Sequence, residues 1–102
     1  MKIGYIRVST QDQNTIRQEV LMKQLGVDQV YIDKFSGKNR NRPELQTMLE
    51  FVRKGDVVIV ESISRFARNT VDCISWVRKL KEKNVAVYFE KENLNTLDDS
   101  TE

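Results

Sequence analysis

Four short runs rich in Val, Ile, Tyr and Phe, separated by stretches of helical period, constrain this chain more than any other feature. The runs cover Lys2 to Val8, Gln29 to Asp33, Asp56 to Val60 and Val85 to Phe89, and their β-branched and aromatic content predicts strands. Between the first two, Ile16, Val20 and Leu21 mark a helix from about Asn14 to Gln24, with Gly26 beyond it as a left-handed cap. Leu45, Met48, Leu49 and Val52 recur at i, i+3, i+4 and i+7, behind Pro43 at the first helical position and ahead of Gly55. Ile74, Val77 and Leu80, with Cys73 and Trp76 beside them, predict a third helix from about Thr70 to Lys83. Lys81, Lys83 and Asn84 close it, where cations suit the negative end of the helix macrodipole.

Strict alternation of strand and helix leaves few architectures open. It predicts an α/β fold, a mostly parallel open sheet of four to five strands with right-handed crossovers and helices on both faces. Parallel strands all end on one edge, and in open α/β sheets ligands bind at that carboxyl edge. Ser9 closes the first run, Lys34 to Arg42 follow the second and Glu61 to Arg68 follow the third. The topology therefore brings Ser9, Lys38, Arg40, Arg42, Arg65 and Arg68 to a common rim. The polar, acidic tail from Asn93 to Glu102 shows no further core element.

With 102 residues and 39% hydrophobic content, the chain makes one domain. A chain of this size buries roughly 60 to 65% of its unfolded surface. A formal net charge of +2, from 17 basic and 15 acidic side chains, describes an ordinary solvated exterior rather than a particular partner. Cys73 is the single cysteine, lies in an apolar helical pattern and reads as a buried thiol in a reducing compartment. No apolar run approaches the roughly 20 residues that span a bilayer, and the first residues lack the layout of a signal peptide. The expected location is cytoplasmic. Without histidine or a second cysteine, a zinc site, a histidine base and a Ser-His-Asp triad are excluded from within the chain.

In the stretch Tyr5-Ile6-Arg7-Val8-Ser9-Thr10, strand alternation sends Arg7 and Ser9 to the same side. A hydroxyl beside a fixed guanidinium is a candidate nucleophile for phosphoryl transfer, which asks mainly for positioning and for positive charge around the equatorial oxygens. Arginine meets that need through its planar, permanently charged fork. Serine is a weak nucleophile at neutral pH unless a base or cations assist it, and here cations must carry much of that load. Each residue also has a plainer reading. Ser9 can cap the turn Ser9-Thr10-Gln11-Asp12, Arg7 can make a salt bridge, Arg42 can cover a helix start, and Arg65 with Arg68 can mark a solvated helix face. Their joint placement on one predicted edge favours the phosphate site.

The segments YIRVST, DKFSGKNRNRPEL, GDVVIV and SRFARN, in this order and at these separations, resemble the catalytic domain of the serine recombinases, the resolvase and invertase family. The similarity runs from Lys2 to about Thr96. It implies a DNA recombinase that uses neither a metal nor a nucleotide cofactor, in keeping with the lack of a GxxxxGK[ST] run. It implies that Ser9 attacks a scissile phosphodiester, giving a 5′-phosphoserine link and a free 3′-hydroxyl, before strand exchange by subunit rotation and religation. By the same resemblance Arg7, Arg65 and Arg68 hold the scissile phosphate, Arg42, before Pro-x-Leu, acts beside them, and Gln18 and Asp33 support the site.

One departure concerns the general acid. Relatives often carry Asp before the arginine matching Arg65; this chain has Ser64, able to donate only weakly or through water. Family members also continue into a long helix that supports assembly and into a DNA-binding region, so the chain reads as truncated before both. The implied partners are a DNA crossover site and, in the longer protein, a homodimer that assembles to a tetramer on DNA. Two other readings stay open: an α/β module that docks phosphate or nucleic acid without chemistry, and a truncated relative that regulates an active recombinase.

Overall fold

A computed structural model describes residues 1–9, 16–35, 42–67 and 70–96 of the chain. Its elements follow in the order β1 (Lys2–Ser9), α1 (Ile16–Gln24), β2 (Gln29–Phe35), α2 (Pro43–Phe51), β3 (Val57–Val60), α3 (Ile63–Phe66), α4 (Thr70–Glu82), β4 (Ala86–Phe89) and β5 (Leu94–Asn95). One five-stranded sheet has the order β2-β1-β3-β4-β5. β1 runs parallel to both β2 and β3, β3 runs parallel to β4, and only β5 is antiparallel. This is the α/β architecture expected from the alternation.

Period-two alternation along β1 divides the core. Ile3 and Tyr5 face a larger cluster containing Leu45, Met48 and Val52 of the α2 segment, Phe66 of α3 and Leu80 of α4. Ile6 and Val8 face a smaller cluster that contains Met22 of α1 and Ile59 of β3. Helices therefore cover both faces, with α2, α3 and α4 on one and α1 on the other. Gly4 lets α1 approach, because a Cβ there would lie 2.9 Å from the Met22 sulfur and 3.1 Å from a Val27 methyl.

Helix ends follow the expected punctuation where a left-handed residue is needed. Gly26, at φ 77°, closes α1 while its N–H donates to the Lys23 carbonyl and Val27 N–H donates to Met22. Asn84, at φ 60°, closes α4 the same way, with Asn84 N–H donating to Lys81 and Val85 N–H to Leu80. Gly55, at φ 94°, lies past α2 in a turn closed by Asp56 N–H on the Arg53 carbonyl. Pro43 does occupy the start of α2.

Several expectations need correction. In α1 the buried residues are Gln18 and Met22, whereas Ile16 and Val20 are 65% and 47% exposed. The helix docks on a narrow seam, and Met22 fills the space above Gly4. In α4, Leu80 is buried and Cys73, Trp76 and Val77 pack on the core, but Ile74 is 52% exposed because it lies off the packed stripe. The tail contributes a short strand after all: β5 pairs Asn95 with Tyr88 and Leu94 with Phe89. β2 also runs two residues beyond Asp33, to Phe35. The proposed helix start at Asn14 and the loop cations Lys38 and Arg40 lie outside the described residues. No helix among the described residues is long and apolar enough to cross a membrane.

Candidate functional site

The carboxyl edge of β1 and β2 carries a buried charge cluster. Arg7 stands opposite Asp33 in the register of these two strands, and both are buried, at 9% and 3% exposure. Two residues back on the same face of β1, the fully buried Tyr5 donates its hydroxyl to Asp33 Oδ2 at 2.8 Å. Burial first, and then this hydrogen bond to the carboxylate, raise the Tyr5 phenol well above its ordinary range, so it stays protonated and donating at neutral pH.

Asp33 also builds the start of α2. The Glu44 N–H donates to Oδ1 at 3.0 Å and the Leu45 N–H donates to Oδ2 at 3.0 Å. A helix leaves its first N–H groups without internal partners, and a side-chain acceptor normally comes from the residue just before it. Here that residue is Arg42, which makes no side-chain cap. The cap comes instead from the neighbouring strand, and the carboxylate also suits the positive end of the helix dipole. Asp33 thus fixes where α2 begins and therefore where Arg42 stands.

The Arg42 side chain reaches from there across to α3 and α4. Its Nη1 donates to the carbonyl of Phe66, and its guanidinium carbon lies 4.8 Å from the centroid of the Trp76 ring. Phe66, wholly buried, is the hub of an aromatic group: it meets Trp76 at 5.6 Å, Phe89 at 5.6 Å and Tyr5 at 6.4 Å, each near edge-to-face. Both Arg7 and Arg42 are close enough to act electrostatically on the Tyr5 hydroxyl. The described cations of the edge are therefore held in one neighbourhood.

α3 follows β3 at the same edge and has one turn. Its entry is capped by Glu92, whose Oε1 accepts from Ile63 N–H at 3.1 Å, while the Ser62 and Ser64 hydroxyls lie 3.0 Å apart. Ser64 is exposed. An Arg17–Glu61 ion pair at 3.2 Å links α1 to the segment leaving β3, though an exposed pair of this kind contributes little. Gln18 is buried at 5% exposure, and its Oε1 has no hydrogen-bond partner among the described residues.

Of the residues singled out from sequence, Arg7, Asp33 and Arg42 come together as described. The backbone makes Ser9 the last residue of β1, two positions beyond Arg7 and opposite Phe35, and it sets Arg65 in α3 directly before Phe66. The side chains of Ser9 and Arg65, and all of Arg68, lie outside the described residues. Sequence reasoning missed Tyr5 and Trp76 as members of this neighbourhood. Tyr5 shares the parity of Arg7 and Ser9 and could have been found from that alternation; the Trp76 contact depends on how α4 docks.

A family model described as the resolvase N-terminal domain matches residues 2–102. The chain belongs to that resolvase family. Among curated relatives, the transposon Tn501 resolvase of Pseudomonas aeruginosa is 47% identical over 93 residues, covering 91% of this chain and 48% of the relative. The transposon Tn552 resolvase of Staphylococcus aureus is 41% identical over 101 residues, 99% of this chain and 51% of the relative. The serine recombinase gin of Escherichia phage Mu is 40% identical over 85 residues, 83% of this chain and 44% of the relative. The chain thus spans about half the length of these relatives. The N-terminal catalytic domain of TP901-1 integrase superposes with a TM-score of 0.72 at 23% identity, covering 98% of this chain and 85% of that one, and supports the resolvase-type fold.

Proposed function

We propose that this chain is the catalytic domain of a site-specific serine recombinase and the N-terminal part of a longer protein. The observation that carries the reading is the convergence of Arg7 and Arg42 around the Asp33–Tyr5 pair at the carboxyl edge where β1 ends in Ser9. Named relatives that include resolvases and a serine recombinase support it.

In the proposed reaction the Ser9 oxygen forms a bond to the scissile phosphorus as the bond from phosphorus to the 3′ oxygen breaks. The serine proton passes to solvent or a neighbouring base, and the leaving oxygen takes a proton to become a free 3′-hydroxyl. The phosphoryl group stays on Ser9 as a 5′-phosphoserine ester, whose retained bond energy allows religation without a nucleotide cofactor. Arg7, Arg42, Arg65 and Arg68 supply positive charge to the pentacoordinate phosphate, where preorganised donors act most strongly. Asp33 orders the arginines, Gln18 offers a buried amide, and Ser64, in place of the acid that relatives often carry, donates to the leaving oxygen only weakly or through water. The partners are a duplex crossover site and further copies of the longer protein, as a dimer that assembles to a tetramer on DNA in the cytoplasm.

The test is a suicide duplex carrying the crossover site, incubated with the longer recombinase. The wild-type protein leaves a covalent protein–DNA adduct, and Ser9→Ala reduces it at least about a thousandfold with its circular dichroism unchanged. Adduct formation by Ser9→Ala removes Ser9 from the role. Phosphate or duplex binding with no adduct from the wild-type protein favours a docking module instead.

A further inference from the structure

The Arg42 head group is held from two directions. Phe66 supplies a carbonyl acceptor, and Trp76 of α4 supplies an aromatic face 4.8 Å from the guanidinium carbon. Trp76 is itself fixed, since it packs on the core and meets the buried Phe66 ring edge-to-face at 5.6 Å. The two contacts differ in what they take from the arginine. The carbonyl occupies an N–H, whereas a ring face attracts the cation through its quadrupole and offers no carbonyl-type acceptor. A guanidinium has five N–H donors, so the stacked side chain keeps most of its fork for an anion.

We propose that Trp76 is a positioning residue for phosphoryl transfer, acting through Arg42; this rests on the recombinase reading above. The tryptophan face holds the Arg42 guanidinium in the orientation in which its remaining N–H groups meet the phosphate oxygens. Arg42 begins a long, flexible side chain at the entrance of α2, and Asp33 fixes only its backbone end. Without the ring, the head group would swing about the Phe66 contact and would have to be ordered again in each transition state. The loss therefore falls on the chemical step. Duplex affinity, which many phosphate contacts share, changes little.

The experiment measures single-turnover adduct formation on the suicide duplex at saturating DNA, using the longer recombinase. Trp76→Leu keeps an apolar side chain and removes the π face, while Trp76→Tyr keeps a π face of smaller size. Fluorinated tryptophans at position 76 keep the shape and progressively drain the face of negative charge. We expect Trp76→Leu and tetrafluorotryptophan to slow cleavage about tenfold with duplex affinity within about twofold of wild type, and Trp76→Tyr to stay within about threefold. A tetrafluorotryptophan protein that cleaves at the wild-type rate overturns the proposal, and so do equal losses in the Leu and Tyr variants, which mark a packing role. Should Trp76→Leu fail to fold, the fluorinated series still decides the question, because it leaves the volume unchanged. Absence of an adduct from the wild-type protein refutes the recombinase reading and this inference with it, whereas a wild-type adduct with unimpaired ring variants refutes this inference alone.

Discussion

Removal of the Asp33 carboxylate should be among the most destabilising single changes in this protein. Asp33 is 3% exposed and accepts from the Tyr5 hydroxyl at 2.8 Å and from Glu44 and Leu45 N–H, each at 3.0 Å. Asp33→Ala strands a buried phenol and the first turn of α2. A hydrogen bond to a charged acceptor contributes roughly 1.5–3 kcal/mol. The contributions do not sum, since all end on one carboxylate whose own desolvation is relieved when it goes. A net loss of about 3–5 kcal/mol results, against the 5–15 kcal/mol (roughly) that holds a typical domain together. Asp33→Asn keeps the volume and one carbonyl acceptor, so its loss is about 2–3 kcal/mol. With a urea slope of about 1.5 kcal/mol per molar, the Asp33→Ala midpoint should fall by about 2–3 M. The chain has one tryptophan, so fluorescence from Trp76 reports the α2–α4 region while circular dichroism reports the whole. A midpoint within about 0.5 M of wild type at an unchanged slope would refute the claim that this carboxylate ties β2 to α2.

Two further outcomes test other parts of the fold. Asp56 accepts from Arg53 N–H at 2.9 Å and from the chain's terminal ammonium at 3.2 Å; the Arg53 bond first, then the ammonium, hold its carboxyl below the ordinary value. A carboxyl lowered by folding contributes stability above its unfolded pKa of about 3.9, and that contribution is lost as the pH falls through the folded value. Urea midpoints measured from pH 6 down to pH 2 should therefore decline less steeply in Asp56→Asn than in wild type, and parallel curves would contradict the assignment. Gly4→Ala should stay within about 1 kcal/mol of wild type, because the Met22 thioether can yield and the unfolded chain loses freedom. Gly4→Val, which pushes further into Met22 and Val27, should cost about 2–3 kcal/mol and lower the melting temperature by roughly 8 °C or more.

Much of this architecture was legible because the chain keeps local and global signals in agreement. The strand runs are dense in β-branched residues, Pro43 opens α2, and Gly26 and Asn84 close helices in the left-handed region. What escaped reading has physical reasons. The inward side of α1 is a glutamine and a methionine, so hydropathy pointed to Ile16 and Val20, which face solvent. α3 is one turn, too short to show a period, and β5 has only two residues. At the site, strand parity put Arg7 on an even footing with Ser9, the predicted topology brought Arg42 to the same rim, and the resemblance named Asp33. The Asp33 cap escaped because its donors lie 11 and 12 residues along, across a connection where no local motif is written. Trp76 escaped because an apolar helix stripe gives no sign of which cation will rest on it.

The earliest strand of this domain lies inside the sheet, flanked by β2 on one side and by β3 on the other. While a nascent chain has only β1, α1 and β2 available, Tyr5 and Asp33 have no α2, α3 or α4 to roof them. Until those helices are synthesised, the charges at this edge remain hydrated, and closure of long loops must precede any reward from parallel pairing. The dry, ordered arginine neighbourhood is therefore a late product of this domain's synthesis, completed only once α4 has been made.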